Sequence, residues 1–149
     1  FCEQLGAVRA INYREQDFVE ELRAETEGRG VDVILDMVGG DYVDRNIQLA
    51  AVEGRIVNIA YLQGSQIEAN LMPVMLKRLV LTGSTLRARP AQFKADLTAA
   101  VRRHAWPWIE AGEVKPIIHQ VFTFADAAEA HRVMEASTHI GKLILSWGA

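Results

Sequence analysis

The sequence is poor in the features that would give its function away at once. It holds a single cysteine, Cys2, which leaves no partner for an internal disulfide and no set of thiolates for a metal; that usage suits a reducing cytoplasm. Basic residues never cluster. Lys and Arg total 16 against 19 Asp and Glu, a net charge of −3, so neither a nucleic acid nor an anionic membrane meets the concentrated positive footprint it needs. Long apolar runs are also missing: Val33-Ile34-Leu35 and Leu143-Ile144-Leu145 are far too short to cross a bilayer, and no basic start followed by an apolar stretch suggests a signal peptide. Most telling, no G-x-G-x-x-G loop follows a strand. The nearest match, Gly28-Arg29-Gly30-Val31-Asp32-Val33, lacks the third glycine and precedes a strand, so it reads as a turn and not as a phosphate cradle.

What is present is a globular chain of alternating periods. Half of its 149 residues are hydrophobic, the level of an ordinary folded domain, and its length allows one domain or one and a half. Phe1 and Leu5, four apart and followed by Gly6, read as the last turn of a helix, without an N-cap or an initiator Met; this suggests a fragment. Ala10–Tyr13 is a short strand candidate, and Phe18, Val19 and Leu22 give a helical stripe over 17–27 with Asp17 placed to cap it. Val31–Val38 carries an unbroken apolar run, the mark of a strand buried on both faces. Asp41 opens a helix with Ile47, Ala50 and Ala51 inward, Gly54 stops it, and residues 55–60 form the next strand. A helix around residues 73–78 follows, where Pro73 is tolerated in the first turn, then a third buried strand over 79–84. Strands alternating with helices imply an open parallel sheet, whose ligands gather at the carboxyl ends of the strands.

Residues 90–112 form one helical pattern, bent at Pro107 because proline removes a backbone donor, and closed by Gly112. A strand over 117–124, a helix over 126–136 and a strand over 140–147 complete the chain, with Thr123 and Asp126 in capping-box spacing. The fold expected is therefore α/β: a partial Rossmann-type doubly wound parallel sheet over residues 1–112, then a strand-helix-strand segment over 113–149. Gly39-Gly40 follows a buried strand and lets a sugar pass close, but two glycines cannot hold a pyrophosphate alone.

Three stretches together have a family likeness. These are "LGAVRAINYREQDFVEELRAETEGRGVDVILDMVGGDYVDRNIQLAAVEGRIVNIA", "KRLVLTGSTLRAR" and "FTFADAAEAHRVMEASTHIGKLILSW". In this order they resemble the carboxyl-terminal half of zinc-independent medium-chain dehydrogenases/reductases, closest to the NADPH-dependent quinone oxidoreductases. The resemblance implies that the glycine loop and the first two sheet strands belong upstream of Phe1, and that the segment from 113 onward returns to complete a substrate domain. It implies NADPH as cofactor, with Tyr13 against the adenosine 2′-phosphate, where a phenol can donate a hydrogen bond. It places Val38 and Gly39 beside the ribose, and the backbone of Ile59, Ala60 and Tyr61 along the nicotinamide ribose. Ser84, Thr85 and Leu86 would grip the carboxamide, with Ser137 and Lys142 near the cofactor. Where Tyr61 falls the family often has a small or amide residue, so this chain departs from its relatives there.

Other chemistries fit less well. His104, His119, His131 and His139 show no metal-ligand spacing and read as surface or partly packed residues. Asp36 lies in a strand and Asp41 caps a helix, so they are not paired acids. Serines 65, 84, 137 and 146 sit in no nucleophile elbow, and Trp106 and Trp108 around Pro107 read as packing anchors. No side chain is an obvious acid or base, which suits a reductase whose nicotinamide does the chemistry on a small quinone or enone. A related enoyl or alkenal reductase is the alternative, and a non-catalytic cofactor-binding or dimerisation piece is another. The strand at 79–84, last in its sheet, is expected to pair with its twin in a homodimer. Taken alone, the chain is expected to leave Val31–Val38 with an unpaired side, and to aggregate or bind NADPH poorly.

Overall fold

The computed structural model describes residues 1–147; the last two residues of the expected 113–149 segment lie outside it. Contacts within the chain divide into one unit from Phe1 to Ala88 and another from Arg89 onward. The boundary expected near Gly112 lies within the second of these units.

The first unit begins with a single 3₁₀ turn, Glu3–Leu5, with Gly6 just beyond. The segment expected as a strand at Ala10–Tyr13 is instead a loop and turn, because a strand needs a paired neighbour and no described segment pairs with it. Asn12 organises that turn: its carbonyl accepts from the amides of Glu15 and Gln16, and its side-chain oxygen from Arg14 N at 3.2 Å. Arg9 then ties the loop to the first helix through Glu21 and Glu25.

Helix α1, Phe18–Glu25, starts where expected. The Asp17 carboxylate accepts from Val19 N at 2.8 Å and Glu20 N at 3.2 Å, an N-cap satisfying two of the donors a helix start leaves free. Helix α2 is Tyr42–Leu49, and its Asp41 makes no side-chain cap. Two donors of this helix start are met by the preceding turn instead, Tyr42 N by Gly39 O and Val43 N by Gly40 O. Helix α2 also ends earlier than expected, and Ala50 and Ala51 belong to the following strand. Lys77 holds that joint, its Nζ donating to Gln48 O at 2.9 Å and Ala50 O at 2.8 Å. Burial, and Arg23 nearby, push this amine below its ordinary value.

Strands β1 (Val31–Asp36), β2 (Ala50–Asn58) and β3 (Val80–Gly83) form a parallel sheet in the order β1-β2-β3, with the short helix α3, Met72–Leu76, before β3. Side chains alternate between the two faces. One face packs on α2 and α3 through Val43, Ile47, Ala50, Ile56 and Leu79, with Ile34 and Val74 against them. Ile47 and Ile56 are wholly buried, each contributing about 1.5–3 kcal/mol of apolar burial. The expectation that β1 and β3 are buried on both faces does not hold in this chain. Val33 is 63% and Leu35 64% exposed, and every residue of β3 is exposed, because these side chains stand on the sheet's faces and, among the described residues, too little packs over them there.

In the second unit the pattern over 90–112 resolves into two helices, α4 (Ala91–His104) and α5 (Trp106–Glu110). The break falls at Ala105, ahead of Pro107, since the proline ring crowds the carbonyl four residues back at Arg103. Strands β4 (Ile118–Thr123) and β5 (Lys142–Ser146) pair in parallel across helix α6 (Ala127–Ala136), a βαβ crossover. Thr123 Oγ1 and Asp126 Oδ2 are 2.6 Å apart, side chain to side chain, and neither caps the backbone. No helix among the described residues is long and apolar enough to cross a membrane.

Candidate functional site

Register puts the three strand ends of the first sheet side by side: Asp36 lies opposite Asn58, and Asn58 opposite Gly83. The turn after β1 and the loop after β2 therefore leave the sheet as neighbours, and they are laced together. Leu62 N donates to Met37 O at 3.2 Å, Gln63 N to Val38 O at 2.8 Å, and Gly40 N to Gly64 O at 2.9 Å. Ser84 joins them, its amide donating to Asn58 O at 3.0 Å. The result is a ledge of backbone at the carboxyl edge of a parallel sheet, where open α/β folds take ligands.

Gly39 is the tightest point of that ledge. Its φ of +69° lies in the left-handed region, and a Cβ there would sit 2.7 Å from Gly64 O and 2.7 Å from Tyr61 Cδ1. Glycine is required twice over, by conformation and by the close approach of the neighbouring loop. Beneath the ledge lies Asp36, 4% exposed. Its Oδ1 accepts from Val38 N at 2.7 Å and Gly39 N at 3.2 Å, and its Oδ2 from Asn58 Nδ2 at 3.0 Å. A buried carboxylate requires such partners, and here each one belongs to the ledge or to the strand carrying it.

The residues singled out from sequence fall into three groups. Val38, Gly39, Ile59, Ala60, Tyr61 and Ser84 meet at these strand ends, followed by the exposed Thr85 and Leu86. Tyr61 lies over Gly39 and remains 49% exposed. Tyr13 stands 66% exposed in the turn before α1. Ser137 and Lys142 belong to the second unit: Ser137 ends α6 in a left-handed conformation, and Lys142 N donates to Ile117 O at 2.7 Å. Sequence reading missed Asn58 and Gly64 and set Asp36 aside as a strand residue. The available signal was a polar residue closing each of two adjacent apolar strands.

A second feature borders the open face of β1. An apolar hollow of about 350 Å³ is lined by Phe18, Leu22, Val33, Leu35, Met37 and Tyr42, among others. At its rim Phe18 stacks on Tyr42 at 5.1 Å, and the Arg45 guanidinium lies 4.2 Å from the Phe18 ring centre while pairing with Asp17 at 2.9 Å. Among the described residues no group of three or more His, Cys, Asp or Glu could hold a metal ion.

Comparison with known proteins fits this geometry. The profile of a family described as zinc-binding dehydrogenase matches residues 5–145. A quinone oxidoreductase of Rattus norvegicus is 29% identical over 147 residues, 95% of this chain and 42% of that protein. A phenolphthiocerol/phthiocerol polyketide synthase of Mycobacterium tuberculosis is 28% identical over 147 residues, 96% of this chain and 6% of that much longer one. The crystal structure of JamJ enoyl reductase in its apo form superposes with a TM-score of 0.75 at 26% identity, covering 97% of this chain and 43% of that one. The chain thus spans less than half the length of each of these relatives.

Proposed function

Because the chain belongs to the family described as zinc-binding dehydrogenase, we propose that it is the carboxyl-terminal part of an NADPH-dependent oxidoreductase that passes hydride to a quinone without zinc. The observation that carries the reading is the Gly39 ledge: side-chain-free backbone at +69°, held at the carboxyl end of a parallel strand. Such a surface fits a flat, sugar-bearing cofactor, since no Cβ stands between the backbone and the ligand.

In this reading Val38 and Gly39 line the ribose, and Ile59, Ala60 and Tyr61 run along the nicotinamide ribose. The strand exit Ser84, Thr85 and Leu86 holds the carboxamide. Tyr13 meets the 2′-phosphate, which favours NADPH over NADH. The bound nicotinamide supplies the hydride; the chain's own part is to orient it and to keep water from the reacting face. The full-length polypeptide acts as a homodimer through β3.

The test is a fluorescence titration of the full-length polypeptide with NADPH and with NADH, followed by turnover on a benzoquinone and on an α,β-unsaturated ketone or thioester. Tight NADPH binding and quinone turnover are expected. A second reading, an enoyl reductase, is favoured by the likeness to JamJ enoyl reductase; turnover of the unsaturated carbonyl and not of the quinone would select it. Failure to bind either nucleotide would refute both.

A further inference from the structure

We propose that Asp36 is a positioning residue for this site, a buried clamp that sets the ledge before any cofactor arrives. The inference rests on cofactor binding at the ledge. Its grounds are geometric. The three hydrogen bonds to the Asp36 side chain come from Val38 N, Gly39 N and the Asn58 amide, so one carboxylate ties the turn after β1 to the strand that launches the 59–64 loop. The backbone repeats the tie, with Ile59 N donating to Asp36 O at 2.8 Å. Burial at 4% exposure keeps water from replacing these bonds, and the side chain lies under the ledge, so its effect reaches the ligand through Val38 and Gly39. The clamp holds two neighbouring N–H groups in fixed directions and thereby fixes the two rigid peptide planes that carry the Met37 and Val38 carbonyls, which accept from Leu62 N and Gln63 N. Orientation set in advance removes an ordering cost from binding.

The two ends of the clamp are chemically distinct, and that gives the test. In Asp36→Asn one side-chain oxygen remains for the Val38 and Gly39 amides, and the new amide can donate to Asn58 once Asn58 turns over its own amide. Asp36→Ala removes all three bonds. Val19→Ala, in the buried face of α1 and outside the bonds that the ledge makes, serves as a control for loss of stability alone.

The experiment uses the full-length polypeptide and two readouts: NADPH dissociation constants by fluorescence, and hydrogen exchange at the Val38 and Gly39 amides without cofactor. D36A is expected to weaken NADPH at least tenfold and to speed exchange at both amides at least tenfold, with D36N restoring most of both. V19A is expected to lower the melting temperature and leave affinity unchanged. Unaltered affinity in D36A, or D36N as impaired as D36A, overturns the positioning role. Equal loss of affinity in V19A and D36A overturns it too, by reducing it to stability. If D36A does not fold, Asn58→Ala takes its place, removing the Oδ2 partner alone, and unchanged affinity and unchanged exchange there overturn the proposal. Absence of nucleotide binding by the unsubstituted protein overturns the functional reading instead, while the exchange measurement still decides whether the clamp exists.

Discussion

Substituting Gly39 by alanine tests the ledge most directly. An L-residue held at φ +69° costs about 1–2 kcal/mol relative to glycine. The added Cβ also lies 2.7 Å from the backbone oxygen of Gly64, an atom that cannot swing aside as the Tyr61 ring can. To relieve it the 59–64 loop must retreat, weakening the bonds from Gly40 N to Gly64 O and from Gln63 N to Val38 O, each a net contribution of about 0.5–1.5 kcal/mol. G39A should therefore destabilise the protein by about 2–5 kcal/mol. Gly28→Ala separates the two causes. Gly28 has φ +79° but nothing within 4 Å of an added Cβ, so it should lose the backbone part alone, about 1–2 kcal/mol. Urea unfolding followed by far-ultraviolet circular dichroism reads the stabilities, and NADPH titration of the folded variants reads the ledge. If G39A and G28A lose the same stability, and G39A binds NADPH as the unsubstituted protein does, the close packing of the two loops has no consequence and the reasoning fails.

How much of this was legible in the sequence depended on range. The Asp17 cap was readable because donor and acceptor lie within three residues, and the strand cores were readable from their apolar runs. Burial was not readable. A run such as Val33-Ile34-Leu35 says that a strand suits an interior, but exposure depends on what packs over it, and among the described residues Val33 and Leu35 are left largely uncovered. The break before Pro107 was misplaced by two residues because proline acts on the turn behind it. At the site, Gly39 could be found locally from a glycine pair after a strand. The Asp36–Asn58 bond spans 22 positions and exists only in one strand register, which no local pattern specifies. The lacing of residues 37–40 to 59–64 depends on the same register.

The core, a helix cap and the sheet edge give three further tests. Ile47→Ala, at a wholly buried position beneath the sheet, should cost about 3–4 kcal/mol in urea unfolding and Ile47→Val about 1 kcal/mol; near-equal losses would mean the core refills the space. The amides of Glu20 and Val19, with Arg45, hold the Asp17 carboxyl below its ordinary value. The stabilisation of α1 is therefore present above the unfolded carboxyl value and lost as pH falls through the folded one. Hydrogen exchange at Val19 and Glu20 should accelerate on acidification below the usual carboxylate range in the unsubstituted protein and not in Asp17→Asn; the same acid dependence in D17N would assign the effect elsewhere. At the other end of the sheet, β3 offers an edge that is unpaired among the described residues and carries Val80 and Leu81 at 39% and 40% exposure. Edge pairing across a two-fold axis brings each side chain near its own copy or a close neighbour, so Leu81→Lys sets like charges together across the seam. Sedimentation velocity of the full-length polypeptide should show a dimer at micromolar concentration and a shift toward monomer in L81K. A monomer in the unsubstituted protein would remove the interface altogether, and a dimer unaffected by L81K would move it away from β3.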